Sequence, residues 1–228
     1  MRIIDIDAHP PVDAASFAHF FDRLNDAGIG LACGTLYAAS APDGGMARRL
    51  NEASLALAKR EPRYIPALWG HPDCADQVEQ ARMIEIDGAW LDGAAEVLAA
   101  AQERGLPVSL RGESPAAAIM LAERYPSLKL ICGGFFSRGF MPAQAAEVLA
   151  ACPNVYLNLS GGIWIGNYVL HEWSRKLHID RLLFGTGCPD GNPAAKLAAM
   201  KWELRDADEE VHSGIYRENA RKLLGLEA

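Results

Sequence analysis

Short apolar runs alternate along the chain with stretches whose apolar residues recur every three or four positions, the pattern of a parallel α/β sheet. The first run, Ile3 to Ile6, reads as a strand. Phe17, Phe20, Phe21 and Leu24 fall at helical spacing, which predicts a helix over Ala14 to Asp26, stopped by Gly28. A strand is expected from Ile29 to about Leu36 and another over Tyr64 to Trp69. Between them Leu50, Leu55, Leu57 and Ala58 mark the apolar side of a helix over Met46 to Arg60. A helix over Ala75 to Met83 should then lead into a fourth strand between Ile84 and Leu91.

The second half repeats the alternation more clearly. Strands are expected at Leu106 to Leu110, Leu128 to Cys132, Val155 to Leu159 and Arg181 to Phe184. Helices are expected at Ala94 to Arg104, Ser114 to Tyr125, Pro142 to Ala151 and near Tyr168 to Leu177. Ser114-Pro115 suits an N-cap followed by proline in the first turn. Two further helical patterns, Pro193 to Met200 and Asp208 to Leu224, close the chain. Eight strands interleaved with helices close naturally into a (β/α)8 TIM barrel. With 228 residues the chain is short for that fold, so some loops must be tight. No linker or repeat divides residues 1–228, which read as one domain. An open doubly wound sheet is the alternative, but no Gly-x-Gly-x-x-Gly fingerprint follows the first strand.

Charge narrows the classes of partner. The formal net charge is −7 and no basic run occurs, so the clustered Lys and Arg that phosphate binding requires are missing and nucleic acid is not an expected partner. Five cysteines without Cys-x-x-Cys spacing suggest a reducing compartment. The sequence opens directly on a strand rather than on a basic-then-apolar leader, and no apolar run reaches the ~20 residues of a membrane helix. A cytoplasmic location without membrane association is the expectation.

The functional face of a barrel lies at the carboxyl ends of its strands. Those positions hold Asp7 and His9, then His71 and Asp73, then Glu85 with Asp87 or Asp92. Arg111 and Glu113, Gly133-Gly134, Ser160-Gly161-Gly162, and Gly187-Cys188-Pro189-Asp190 complete the circuit. Phe135, Phe136 and Trp164 follow strands and either shape a pocket or belong to the core. His19, His171, His178 and His212 fall on helical stretches and read as surface or packing residues.

Taken in order, Ile3-Ile-Asp-Ile-Asp-Ala-His9, Gly105-Leu-Pro-Val-Ser-Leu-Arg111, Leu128-Lys-Leu-Ile-Cys-Gly-Gly134, Asn154-Val-Tyr-Leu-Asn-Leu-Ser160, Leu182-Leu-Phe-Gly-Thr186 and Asn219-Ala-Arg-Lys-Leu-Leu-Gly225 resemble the amidohydrolase-related family of metal-dependent hydrolases and decarboxylases, which are TIM barrels. The resemblance spans nearly the whole chain. It implies a His-x-His pair after the first strand, where this chain has Asp7-x-His9. The histidines implied after strands five and six fall at Arg111 and at Gly134 (or Gly133), and the aspartate implied after strand eight falls at Gly187.

A catalytic zinc site takes about three protein ligands and an open position. The resemblance therefore leaves Asp7 and His9 as metal ligands, with one divalent ion (Zn or Mn) or none as the cofactor. His71, Asp87, Asp92 or Asp190 are the residues that could complete a carboxylate-rich site for Mn²⁺ or Mg²⁺. Arg111 points elsewhere, since a guanidinium in the mouth repels a cation and favours a carboxylate or phosphate. Its alternative role is a structural ion pair with Asp7, Glu113 or Asp190. Glycine-rich turns at Gly134 and at Ser160-Gly161 expose amides suited to anions. Cys188 is either a nucleophile near Arg111 or a small buried hydrophobe.

The resemblance implies hydrolysis or decarboxylation of a small anionic compound. Asp7, His9 and Asp190 would be the catalytic set, and Arg111, Ser160, Gly161, Gly134 and Cys188 would line the substrate. The alternative is a barrel without catalysis that binds a small anion or serves as a regulatory or structural subunit. A two-fold homo-oligomer is the default assembly.

Overall fold

The computed structural model of the chain describes residues 2–133, 142–161, 169–176 and 179–226. Eight parallel strands lie side by side in chain order: β1 (Ile3–Asp5), β2 (Ile29–Gly34), β3 (Tyr64–Trp69), β4 (Met83–Asp87), β5 (Val108–Arg111), β6 (Leu130–Gly133), β7 (Val155–Asn158) and β8 (Leu182–Leu183). The two ends of the sheet then meet. Ile6 donates its amide to the Phe184 carbonyl at 3.0 Å, Gly187 to Asp7 at 2.8 Å and His9 to Cys188 at 2.7 Å. The result is the (β/α)8 barrel that the alternation of elements predicts.

Outside the strands run α1 (Ala14–Asp26), α2 (Gly44–Ala58), α3 (Ala95–Glu103), α4 (Pro115–Arg124), α5 (Pro142–Ala151), α6 (Val169–Lys176) and α7 (Pro193–Glu203). Side-chain caps start several of them. Asp13, Asp43, Ser114 and Asn192 each accept an amide three residues on, satisfying a donor that the first turn leaves free. Gly28 follows α1 with a φ of +81°, a left-handed conformation that glycine adopts without steric cost, so the helix stops where expected.

One expected element is absent. No α-helix covers Ala75 to Met83; Pro72–Gln80 instead winds as 3-10 turns kinked at Cys74, and β4 already begins at Met83. Only Cys74, Gln77 and Val78 of that stretch face inward, too few apolar positions to hold an amphipathic helix on the sheet. The last helical stretch is also not uniform. It runs as α8 (Glu209–Ser213), a π-helical turn over Gly214–Glu218, and α9 (Asn219–Leu223). The Ile215 carbonyl in that turn accepts the Phe184 amide at 3.1 Å, so the closing helix is bonded to the strand beneath it. His19 is exposed on α1, and His212 stacks on Tyr216, both on helices; His178 lies outside the described residues. Among the described residues no helix is long and apolar enough to cross a membrane.

The inside of the barrel changes character along the strands. At one level Cys33, Ile65, Ala67, Met83, Ile131 and Leu183 pack together, with Ala220, Leu223 and Leu224 of the closing helix against them. Side chains two apart on a strand share a face. On the same face, two residues on, Cys33 gives way to Thr35, Met83 to Glu85, Ile131 to Gly133, and Leu183 to Gly185. An apolar floor thus supports a polar mouth.

The end of β3 shows how the mouth is held. β2 pairs with β3 only as far as Gly34 opposite Pro66, which leaves the backbone of Trp69 without a strand on that side. Asn51 from α2 takes the strand's place, accepting the Trp69 amide at 2.7 Å and donating to its carbonyl at 3.0 Å. Replacing Asn51→Leu would strand both buried groups and should cost about 2–4 kcal/mol of stability. Chemical denaturation of the variant measures this, and a loss under about 0.5 kcal/mol would contradict the account.

Candidate functional site

The seam between β1 and β8 is polar. Asp5, with no exposed surface, accepts the Thr186 hydroxyl at 2.5 Å, the Thr186 amide at 3.0 Å and the Asp7 amide at 3.0 Å. Burial pushes its carboxyl up to about 6 even though the Thr186 bonds pull the other way. The same seam carries the chain outward to Asp7 and His9.

Asp7 and His9 face each other. His9 Nε2 donates to Asp7 Oδ1 at 2.7 Å, and Asp7 Oδ2 accepts the Ser160 hydroxyl. His9 Nδ1 lies 3.2 Å from both the carbonyl and the hydroxyl of Thr35, and 3.9 Å from Glu85 Oε2. The Thr35 hydroxyl in turn donates to Glu85 Oε2 at 3.5 Å. Ser160 is itself aligned by its amide, which donates to Asn158 Oδ1 at 3.0 Å.

Burial opposes the charge on each of these groups, and their neighbours decide the outcome. At Asp7 the bond and charge of His9, with the bonds from Ser160 and Asn158, overcome burial and hold the carboxyl down at about 2. At His9 burial is outweighed by the Glu85 charge and by Asp7, against a smaller opposing effect of Arg111, and the imidazole is raised to about 9. At Glu85 burial wins, and the carboxyl is raised above its ordinary value despite the His9 charge. Asp7 and Glu85, which face different nitrogens of the His9 ring, thus have their proton affinities pushed in opposite directions.

Asp7, Glu85, Ser109, Arg111, Gly133 and Asn158 line a cavity of about 10 Å³ in the mouth, room for about one water. The Arg111 guanidinium lies over the Trp69 ring at 5.4 Å and donates to the Ala38 carbonyl at 3.3 Å. The neighbouring Tyr37 hydroxyl donates to Asp190 at 3.0 Å, tying the loop after β2 to the loop after β8. Gly185 makes this crowding possible, because a Cβ there would land on Asn158 Oδ1 and crowd Asp7 and Ser160.

The residues expected at the site separate into groups. Asp7, His9, Glu85, Arg111 and Ser160 converge, with Gly161 one residue beyond. Asp190 is exposed and reaches the site only through Tyr37. Cys188 has no exposed surface and packs in the core between sheet and helices; burial, with the nearby Asp5 charge, pushes its thiol up to about 12, so it is a packing residue. The Cys188–Pro189 peptide is cis. His71 and Asp87 cap 3-10 turns by accepting the amides of Asp73 and Ala89, and Asp92 is exposed. Glu113 accepts the Gly133 amide at 3.1 Å. Gly134, Phe135, Phe136, Gly162 and Trp164 lie outside the described residues.

Several participants escaped the sequence reading. Thr35 and Asn158 are ordinary polar residues at strand ends, with nothing in their type to single them out. Lys196 on α7 carried a usable signal. It occupies an inward position in the series Pro193, Lys196, Leu197, Met200, where an apolar residue is expected.

The side chains do not fit a resident metal ion. Asp7 and His9 spend their facing atoms on each other and on Ser160, and the Arg111 cation lines the same cavity. Among the described residues no group of three or more His, Cys, Asp or Glu side chains could hold an ion.

Comparison with known proteins agrees with this frame. The family model for amidohydrolases matches residues 82–226. No curated protein matches the chain. Among solved structures, a Staphylococcus aureus protein described as an amidohydrolase superposes with a TM-score of 0.79 at 16% identity, covering 99% of this chain and 100% of that one. The 2,6-dihydroxybenzoate decarboxylase from Rhizobium gives 0.75 at 14% identity, covering 100% of both chains. The 4-oxalomesaconate hydratase from Rhodopseudomonas palustris gives 0.68 at 12% identity, covering 98% of this chain and 95% of that one.

A histidine held between Asp7 and Glu85 should titrate near 9 instead of near its ordinary 6.5. Because the folded value is the higher, His9 contributes stability in full below about pH 6.5 and loses it as pH rises through about 9. NMR titration of the His9 ring should show the high midpoint, and Asp7→Asn should lower it by removing both a hydrogen bond and a charge. A midpoint near 6.5 in the unmodified protein would refute this electrostatic picture.

Proposed function

Because the chain belongs to the amidohydrolase family, we propose that it hydrolyses a small compound bearing a carboxylate, by acid–base chemistry of its own side chains at the barrel mouth. The observation that carries this reading is the single cavity that joins Arg111, Glu85 and Asp7. Arg111 is the anion-binding group, its plane braced by Trp69 and by the Ala38 carbonyl. The structural relative from Rhizobium is named for a carboxylate substrate, which supports the same substrate class here. Asp190 supports the site at one remove, by holding Tyr37 beside Ala38.

In this reading Glu85, raised by burial, is the proton carrier. A water in the cavity forms a bond from its oxygen to the acyl carbon and gives a proton to Glu85. The bond to the leaving oxygen or nitrogen then breaks, its electron pair going to the leaving atom, which takes the proton back from Glu85. Asp7 keeps His9 protonated and aimed at Glu85, and the charges of His9 and Arg111 offset the negative charge that develops on the acyl oxygen. Hydrolysis is favoured over decarboxylation because an arginine stabilises a carboxylate most while its charge is intact, and loss of CO2 removes that charge.

A second reading is a barrel that binds a small anion without turnover. The bonds that hold both oxygens of Asp7, to His9 and to Ser160, favour it. In that case dicarboxylates would raise the melting temperature, since a ligand of the folded state stabilises it by RT ln(1 + [L]/Kd), and no product would form.

The test is a panel of amides and lactones with a free carboxylate, assayed with chelator beside the methyl esters of the same compounds. The free acids should be hydrolysed and the esters spared. Glu85→Gln and His9→Ala should each lower kcat by about 100-fold, and Arg111→Met should lower kcat/KM by about 100-fold. Full activity in His9→Ala, or turnover that requires an added divalent ion, would sink the proposal.

A further inference from the structure

Lys196 is 6% exposed. It stands on the inner side of α7, and its Nζ donates to the Gly161 carbonyl at 3.0 Å. Among the described residues no carboxylate lies close enough to form an ion pair with it. Burial lowers the ammonium to about 7, while Asp5 and Asp7 pull the other way, so their charges reach it through the protein. Removing an ammonium from water costs several kcal/mol, and a methionine would fill the same space without that cost. Packing therefore does not account for the residue.

What lies on the far side of its hydrogen bond does. Gly161 follows Ser160, whose hydroxyl is bonded to Asp7 Oδ2 and whose amide is bonded to Asn158. Ser160 sits just past the end of β7. A cation on the carbonyl one residue further on fixes the turn that aims it.

We propose that Lys196 is a positioning residue of the site: its ammonium clamps the Gly161 carbonyl so that Ser160 meets Asp7, and its positive charge acts at longer range on Asp5 and Asp7 in a mouth whose side chains do not fit a metal ion. The inference rests on the reading that Asp7, His9 and Glu85 work together as the acid–base set.

The test needs no substrate, so its failure is separable from failure of the hydrolase reading. The exchange rates of the Ser160 hydroxyl and amide protons are compared by NMR in the unmodified protein, in Lys196→Met and in Lys196→Arg. Exchange should quicken at least tenfold in Lys196→Met and return toward the original rate in Lys196→Arg. Unchanged exchange in folded Lys196→Met would overturn the proposal. If Lys196→Met does not fold, the Lys196 side chain is titrated by carbon NMR in the unmodified protein and in Asp7→Asn. The midpoint should fall by about half a pH unit, roughly a threefold weaker hold on the proton, when the neighbouring charge is removed. An unmoved midpoint would overturn the proposal equally. Turnover without this coupling leaves the hydrolase reading standing alone, and coupling without turnover removes the hydrolase reading alone.

Discussion

Closing this barrel requires burying two carboxylates at the seam where its first and last strands meet, and the surroundings of the site are the answer to that requirement. Asp5 is satisfied by the hydroxyl and amide of Thr186 and by the Asp7 amide. Asp7 is satisfied by His9, Ser160 and Asn158. Burying a charge is tolerable only when hydrogen bonds and opposite charge replace water, and here the partners come from the ends of β1, β7 and β8. The absence of a side chain at Gly185 belongs to the same solution, since that is the space in which Asp7, Asn158 and Ser160 meet.

The polar mouth rests on a frame that is independent of it. The frame is maintained by an apolar floor, Cys33, Ile65, Met83, Ile131 and Leu183, which has no stake in what lies above it. Above it, both oxygens of Asp7 are turned to hydrogen-bond donors, His9 and Ser160. The mouth holds buried ionisable side chains whose positions are set by hydrogen bonds, and in the proposed reading its chemistry depends on their proton affinities.

The legible part of this protein was the part governed by periodicity. Tyr64 to Trp69, Ala14 to Asp26 and Pro142 to Ala151 are elements whose ends coincide with expectation, because their apolar spacing and flanking caps agree. The stretch after His71 failed because proline and acidic residues there favour short capped turns over a helix. At the site, Asp7, His9, Arg111 and Ser160 could be found by counting to strand ends. Their pairing could not, because it depends on which neighbouring strand end faces which, and a strand list is silent on that. Cys188 shows the same limit: its position suggested the mouth, and its side chain turned into the core.

The tie between Asp5 and Thr186 joins residues 181 positions apart. In the order of synthesis the carboxylates come first, with His9, and the hydroxyls that hydrogen-bond them, Thr186 and Ser160, come late. Until those arrive, Asp5 and Asp7 belong in water and the first strand has no reason to settle into the sheet. Competence and completion of the fold therefore coincide: a growing chain with most of its barrel built holds the acid–base residues of the first strand in an open edge, and only the final turns of the polypeptide make them a site.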